Sequence, residues 1–495
     1  MIKKILLLSS LLTSYALADT TTLNNDKTEY EAPRLAGDSL AIKPLDIDNE
    51  SEADSIKEMF IKGKIKGLLR YGAQYRDTSY TSTQSGVPSN PNTVKQYSAL
   101  GGYLGYETAE IHGFSMGATF YTAQKFGPNP DDGIGLGGLN EEGTSAHSYT
   151  ILGEAYLKYE NAENDLRVGR REMPNYRFVS LSNVRFTPIT HEGVTYENSS
   201  LGDVKIILAN INKQKNRNST EFIGMIRASR VCEDDIEGSY DPSNFVDGLY
   251  AAEVKSMLMG SVTLSQENRS LEVWNYYVED FINILYLYGD YDFKVDKDLS
   301  LSAAFQYANQ FNVGSSVAGN IDSWFYGLKL QADFKNGITL FGAYNEVAYN
   351  ENAYDGGTIL VRWGTPQMFN SYQVQDSELA GTKSLGIGLQ IELGHMNIVP
   401  NTVIRFRYAN YDLPDSLNQK YVAQDRAETT FDLRYSFRKN DGFGIFTQMN
   451  GLSVQFRIAY DDYKTDYDYE SYHGYKFDEV TKDFFDTRLY IDYIF

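Results

Sequence analysis

The sequence predicts an all-β chain: a transmembrane antiparallel β-barrel of about 18 strands with short periplasmic turns, long extracellular loops and an N-terminal periplasmic arm. Three observations predict it. Stretches of strictly alternating apolar and polar residues run to the end of the chain, short turns alternate with long polar loops, and the last residue, Phe495, is an aromatic that completes an alternating strand. Composition agrees. The 495 residues carry 39 Tyr, 26 Phe and 41 Gly but only 12 Pro, a balance that favours strands and turns. Only 42% are hydrophobic and mean hydropathy is −0.41, so a bundle of membrane-spanning helices is excluded. The formal charge of −21 gives a nucleic-acid role no support. The single cysteine, Cys232, cannot form an intrachain disulfide, so stability must come from the sheet. Cys232 falls in a long acidic loop and is read as a free thiol with no evident role.

The elements follow in chain order. Met1 to Ala18 has Lys3 and Lys4, an apolar stretch Ile5 to Leu12, and Ala16, Leu17, Ala18 before Asp19, the pattern of a secretory leader cleaved after Ala18. Its removal would take the charge from −21 to −23. Residues 19–60 are polar and acidic with a helix-like patch at Ile56 to Phe60, and read as the periplasmic arm; residues 61–495 read as the barrel. From there the period is two. Ile65, Gly67, Leu69, Tyr71, Ala73 and Tyr75 alternate with Lys64, Lys66, Arg70, Gln74 and Arg76, and the same pattern recurs at Leu299 to Tyr307, Tyr326 to Phe334, Leu385 to Leu393, Phe431 to Phe437 and Leu452 to Tyr460.

These strands are ~9–12 residues long, the length a tilted membrane strand needs. Lys335, Asn336, Gly337 and the region Asp296 to Asp298 read as tight turns; Asp77 to Gln96, Gln124 to Ser148, Asn350 to Gly381 and Asp461 to Asp483 read as long loops. Tyr71, Tyr75, Tyr156, Tyr159, Tyr286, Tyr288, Phe305, Tyr307, Tyr408 and Tyr460 fall near strand ends and are expected in interfacial girdles. A barrel of this size encloses an aqueous channel, and closure leaves no unpaired strand edge in lipid.

The run Leu166, Arg167, Val168, Gly169, Arg170, Arg171, then Asn183, Val184, Arg185, Phe186, Thr187, Pro188 and His191, Glu192, Gly193, resembles a segment of outer-membrane porins of the OprD family. So do Leu271 to Tyr277 and the closing Arg488 to Tyr493. The resemblance implies eighteen strands and passive diffusion of small, often carboxylate-bearing nutrients through a pore narrowed by infolded loops. Arg171 and Glu172 to Val179 depart from the family pattern, and the acidic total departs from anion guidance.

With apolar positions turned outward, Arg405 and Arg407, Arg434, Arg457 and Arg488 fall on the inward parity of four successive strands, and closure sets Arg70 beside the last. A guanidinium can pass a carboxylate along by bidentate bonds without losing its proton, so these residues are candidate pore-lining groups forming a guide rail. The alternative is that they pair with inward acids such as Asp432 and Asp492 and stiffen the wall. Arg167 and Arg171 share the inward parity and feed Glu172 to Thr190, the third long loop; Arg185 within it is a candidate constriction residue. Asp355, in Asp355 to Thr365 of the seventh loop, is the candidate opposing charge. Crossed charged walls orient dipolar solutes, and charges at the narrowest point outweigh the net charge.

Other chemistry is thin. His112, His147, His191, His395 and His473 lack ligand spacing and read as surface or turn residues. Asp461 to Glu479 reads as a solvated loop, not a Ca²⁺ site. Gly101, Gly102 and Gly105 precede no helix, so no phosphate loop is implied. No nucleophile sits in a recognisable catalytic setting, so no enzyme, cofactor or metal is expected. The expected function is passive passage of small hydrophilic nutrients and ions across the outer membrane of a Gram-negative cell, with selectivity for carboxylate-bearing or zwitterionic solutes. Alternatives are a general cation-preferring diffusion porin and a non-conducting display or adhesion barrel. Expected partners are outer-membrane lipid and lipopolysaccharide, the solutes, the barrel-assembly machinery through Phe495 and, as one option, a homotrimer.

Overall fold

The computed structural model describes residues 52–82, 93–127, 135–142, 145–180, 185–229, 255–364, 368–374, 377–414, 425–437, 450–464, 469–470, 476–477 and 480–495. The leader, most of the arm, Asn183, Val184, Cys232 and His473 lie outside them. Eighteen of the strands close into one antiparallel barrel: β1 (Lys64–Ser82), β2 (Thr93–Glu107), β3 (Phe114–Lys125), β4 (Tyr149–Glu160), β5 (Asn164–Arg171), β6 (Thr190–Leu201), β7 (Val204–Lys215), β8 (Met257–Gln266), β9 (Arg269–Val278), β10 (Ile282–Lys294), β11 (Leu299–Asn312), β12 (Asp322–Phe334), β13 (Ile338–Val347), β14 (Lys383–Glu392), β15 (Thr402–Asp412), β16 (Asp425–Ser436), β17 (Leu452–Lys464) and β18 (Val480–Ile494). β18 pairs back onto β1 from Leu68↔Ile494 to Ser82↔Val480. The seam is finished by Phe495, whose backbone exchanges both hydrogen bonds with Gly67, at 2.8 and 3.0 Å. Every strand thus has two neighbours, which a lipid-embedded sheet requires because hydrocarbon offers no partner to a free N–H or C=O.

Alternation sets the faces as the sequence predicts. Leu69, Leu328, Leu330, Leu385, Ile387 and Phe406 are exposed on the outer wall, while Arg70, Lys329, Ser384, Arg405 and Arg407 between them are buried inward. Tyr75, Phe305, Tyr408 and Tyr460 are outward and exposed, as girdle residues should be. Tyr156, Tyr286 and Tyr288 correct that expectation: they point inward and are buried. Tyr286 packs edge-on against Phe178 of the third loop, so packing inside the lumen claims a ring that strand position alone assigns to the interface.

Five boundaries also differ. Asp77 lies in β1, Gln96 in β2, Gln124 in β3, Asp461 in β17 and Asp483 in β18, because these strands run further and pair there with their neighbours. Short turns and long loops do not alternate strictly, since β9 and β10 are joined on the loop side by residues 279–281 alone. Asp280 turns there at φ 62° and its carboxylate accepts the Ser315 N–H at 3.0 Å, anchoring the next loop. His191 is buried in β6 with Nε2 3.1 Å from the Gln214 amide oxygen, so it is a wall residue and not a surface or turn one.

The described end of the arm forms α1 (Ile56–Ile61), whose Ser55 cap accepts the Glu58 N–H. Ala53 donates its N–H to the Glu110 carbonyl at 2.7 Å and Ala109 donates to that of Met59 at 2.9 Å, fastening the helix to the first turn. No helix among the described residues is long and apolar enough to cross a membrane.

Candidate functional site

Two loops fold into the barrel and pack against its inner wall. The third loop (172–189) leaves β5 and first crosses to the opposite side. Met173, Tyr176, Phe178 and Val179 are buried with Trp274, Tyr276 and Tyr286 of β9 and β10. The Tyr276 hydroxyl donates to the Tyr176 carbonyl at 2.6 Å, and Arg177 pairs with Glu272 and lies 3.9 Å over the Tyr288 ring. The loop then returns to the seam, where Phe186 is 2% exposed and fills a dent in β1 and β2. Glycine makes that dent: a Cβ on Gly72 would lie 2.7 Å, and one on Gly101 2.9 Å, from the Phe186 ring. Gly72 of β1 and Gly101 of β2 therefore make room for the loop.

The seventh loop (348–382) follows the inner wall from β13 to β18. Asn370 donates its backbone N–H to the Asn345 side chain at 2.9 Å, over Gly386, where a Cβ would meet the Asn370 amide. Arg407 lies 4.5 Å over the Tyr372 ring. Gln373 donates its side-chain amide to Asp486 at 3.0 Å, and its carbonyl accepts Arg488 Nη2 at 3.0 Å.

Arg405, Arg407, Arg434, Arg457, Arg488 and Arg70 all lie buried on the inward faces of β15, β16, β17, β18 and β1. Register places Arg405, Asp432, Arg457 and Arg488 side by side across four strands, ending at Gln74 of β1. Membrane-barrel strands tilt by ~40°, so a row perpendicular to strands ~4.8 Å apart climbs ~3 Å along the pore axis per strand. Arg405, Arg457 and Arg488 form this ramp, with Arg407 and Arg434 each two residues along their strands from it and Arg70 four residues from Gln74. Each is also held. Asp432 accepts from Arg457 Nε and from Arg407 Nη2 at 3.4 Å; Arg405 donates Nε and Nη2 to Gln390 at 3.1 and 2.7 Å; Arg70 is bidentate to Asp492 at 2.7 Å twice over. Asp486 receives Arg488, Arg76 and Gln74 at 2.6–2.9 Å. Such charge-assisted bonds repay the desolvation of a guanidinium and fix its orientation. Pairing with acids and an inward-facing ramp are therefore both present.

Arg185 sits where the third loop meets this wall. Its Nε donates to the Leu136 carbonyl at 2.9 Å, its own carbonyl accepts from Arg70 Nη1, and it lies within electrostatic range of Arg488 and Asp486. Asp355 is elsewhere on the wall: it lies in the 3₁₀ turn Tyr354–Gly357, tied to the β11–β12 loop by Tyr354 N–H to the Asn320 carbonyl at 2.6 Å. Arg167 pairs with Asp165 at 2.6 Å near the start of β5, and Arg171 donates to the Tyr176 hydroxyl at 3.0 Å, tying the end of β5 to the third loop.

Sequence reasoning missed the acids nearest Arg185's own loop. Glu172, the loop's first residue, donates its N–H to the buried Glu154 carboxylate of β4 at 2.9 Å, and Lys66 of β1 lies 3.5 Å from Glu154. Burial first, then the Glu154 charge, push the Glu172 carboxyl up to about 8, against the pull of Lys66 and Lys215. Lys329 of β12, inward between exposed Leu328 and Leu330, was also missed although the alternation rule alone finds it.

The family model described as outer membrane porin, OprD family, matches residues 105–493. The chain belongs to the OprD family of outer-membrane porins. Its barrel is similar to solved OprD-type porins: OccAB3 of Acinetobacter baumannii, at 14% identity and TM-score 0.66 over 87% of this chain and 99% of that one, and OccAB2 of the same organism, at 17% and 0.65 over 88% and 99%. OpdK of Pseudomonas aeruginosa, solved with vanillate, aligns at 14% and 0.61 over 86% and 98%. At such identities the likeness shows the fold alone. A comparison with curated protein sequences returned no match. Family and fold point to an outer-membrane channel, not an enzyme.

Proposed function

We propose that this OprD-family porin passes small carboxylate-bearing or zwitterionic solutes, with the ramp from Arg405 and Arg407 through Arg434 and Arg457 to Arg488 and Arg70 as the guide, and Arg185 of the third loop and the seventh loop narrowing the path beside it. The observation that carries the reading is that both infolded loops approach the arginine-bearing wall, through the Arg70 bond to the Arg185 carbonyl and the Arg488 bond to Gln373. A solute confined there meets guanidinium groups that outnumber the carboxylates among them. The relative solved with an aromatic carboxylate, vanillate, fits the same solute class. Asp355 stands outside this narrowing, and the acids Glu154 and Glu172 stand on the β1 side of the lumen, beside Lys66. Residues 1–18 serve as the export leader, 19–60 as the periplasmic arm, and Phe495 presents the chain to the assembly machinery.

The test is reversal potential and solute block in planar bilayers for the wild type and for Arg434→Glu with Arg457→Glu. A unit charge at ~4 Å in a watery lumen is worth ~1 kcal/mol, so the anion-to-cation permeability ratio should fall at least about five-fold and carboxylate block should weaken. An unchanged reversal potential in a conducting double variant would leave the general diffusion porin; no conductance in the wild type would leave the display barrel.

A further inference from the structure

On the outer wall, at the loop rim of β5 to β7, three charged side chains stand in one register row where the alternation otherwise presents apolar ones. Arg170 follows Leu166 and Val168 on the lipid-facing parity and pairs in register with Glu192, which pairs in turn with Lys213. Arg170 Nε donates to Glu192 Oε2 at 2.7 Å. Lys213 is exposed, with neither a hydrogen bond nor an ion pair from its ammonium among the described residues. The fourth loop folds beside this row: Ile223–Gly224 adds a two-residue strand to the end of β7, and the Phe222 ring lies 4.2 Å from the Arg170 guanidinium. α2 (Met225–Ala228) brings Arg227 alongside. These cations, with Ile151, Leu152 and Ile223, line a cavity of about 470 Å³.

A lipid-facing Arg or Lys costs ~2–4 kcal/mol at the bilayer midplane and ~0–1 near the interfaces, so this row marks headgroup depth at the loop rim. One acid, Glu221, lines the cavity, and a second, Glu192, stands beside it. Glu192 is engaged by Arg170, and Glu221 is exposed. We propose that the cavity holds a phosphate of an outer-leaflet glycolipid, with Lys213 and Arg227 donating to the phosphate oxygens. Arg170 flanks them, and the lipid's acyl chain lies against Leu152 and the neighbouring exposed Phe120. Ammonium and guanidinium donors on one side and apolar wall on the other match an anionic amphiphile and no soluble anion. The site is on the outside of the barrel and independent of the solute reading.

The test uses the full chain folded in detergent and native mass spectrometry with diphosphoryl lipid A and fully dephosphorylated lipid A as probes. The wild type should retain the diphosphoryl form, and Lys213→Glu should weaken it about ten-fold or more. Lys383→Glu, an exposed cation at the start of β14, should leave binding unchanged. Heat-modifiable migration verifies that each variant is folded. Equal retention of dephosphorylated lipid A, equal binding by Lys213→Glu, or equal loss in Lys383→Glu would each overturn the site.

Discussion

Gln373 and Asp486 are 113 residues apart in the chain and 3.0 Å apart in the structure, the amide Nε2 of the seventh loop donating to a carboxylate on the last strand. The same residue donates its backbone N–H to Glu428 at 2.9 Å and offers its carbonyl to Arg488. One side chain and one peptide unit thus clip the loop to β16 and β18. Gln373→Leu keeps the bulk and removes only the side-chain bond, worth ~1 kcal/mol or somewhat more with a charged acceptor. The expected result is larger unit conductance with added open-channel noise in bilayer recordings. Traces that match wild type in both would show that the backbone bonds alone hold the loop.

The third loop depends on a different lock. Phe186→Ala empties the dent over Gly72 and Gly101 and should cost ~3 kcal/mol of local stability, as truncation of a buried ring does. Gly72→Leu attacks the same contact from the wall, because a Cβ there meets the Phe186 ring before any other group. Both variants should raise conductance and expose the chain at Arg185 to trypsin. If Gly72→Leu folds, conducts as wild type and resists trypsin, the loop does not rely on this dent.

The barrel was legible because period two is imposed by lipid on one side and water on the other, and one misplaced residue would turn every side chain of a strand over. The same parity placed Arg405, Arg407, Arg434, Arg457, Arg488 and Arg70 on the inner wall. Loop paths were not legible. Nothing in the sequence near Gln373 or Phe186 marks their partners more than 50 residues away, since loop docking is decided by shape: the space over Gly72, Gly101 and Gly386. Tyr286 and Tyr288 were misplaced for the same reason, being recruited by Phe178 and Arg177 of a loop whose course periodicity does not encode. The arginine partners Asp432 and Asp492 were legible because they obey the strand alternation.

Glu172 gives the lumen a pH response. Its carboxyl titrates near 8 because burial and the adjacent Glu154 disfavour its charge. As pH falls through that value the lumen loses a negative charge, so the anion-to-cation permeability ratio should rise between about pH 9 and 7, and Glu172→Gln should abolish the step. Stability runs in the same sense. A carboxyl with a raised folded-state pKa binds more protons folded than unfolded, so its contribution is full below the usual value of 4.5 and is lost as pH rises toward 8. Denaturation in urea should show wild type losing stability across that window and Glu172→Gln losing less. Parallel pH profiles for the two proteins would remove Glu172 from the account.

Lys329 separates stability from function. It is 8% exposed, its Nζ lies 4.5 Å from the centre of the Phe341 ring, and no hydrogen bond or ion pair engages it among the described residues. Arg405 and Arg407 lie within electrostatic range, and of nearby charges only Asp333 attracts it. A buried ammonium without a paired acid is a net cost to folding, so a wall selected for stability alone would carry an apolar residue there. A solute carboxylate entering beside the ramp supplies the missing partner. Lys329→Met keeps the packing over Phe341 and should raise the temperature at which the folded band converts on gels, while weakening block by small carboxylates several-fold. A variant that is more stable yet blocked as before would assign Lys329 to the wall and not to the path; one that loses both would mean that its ammonium is structural.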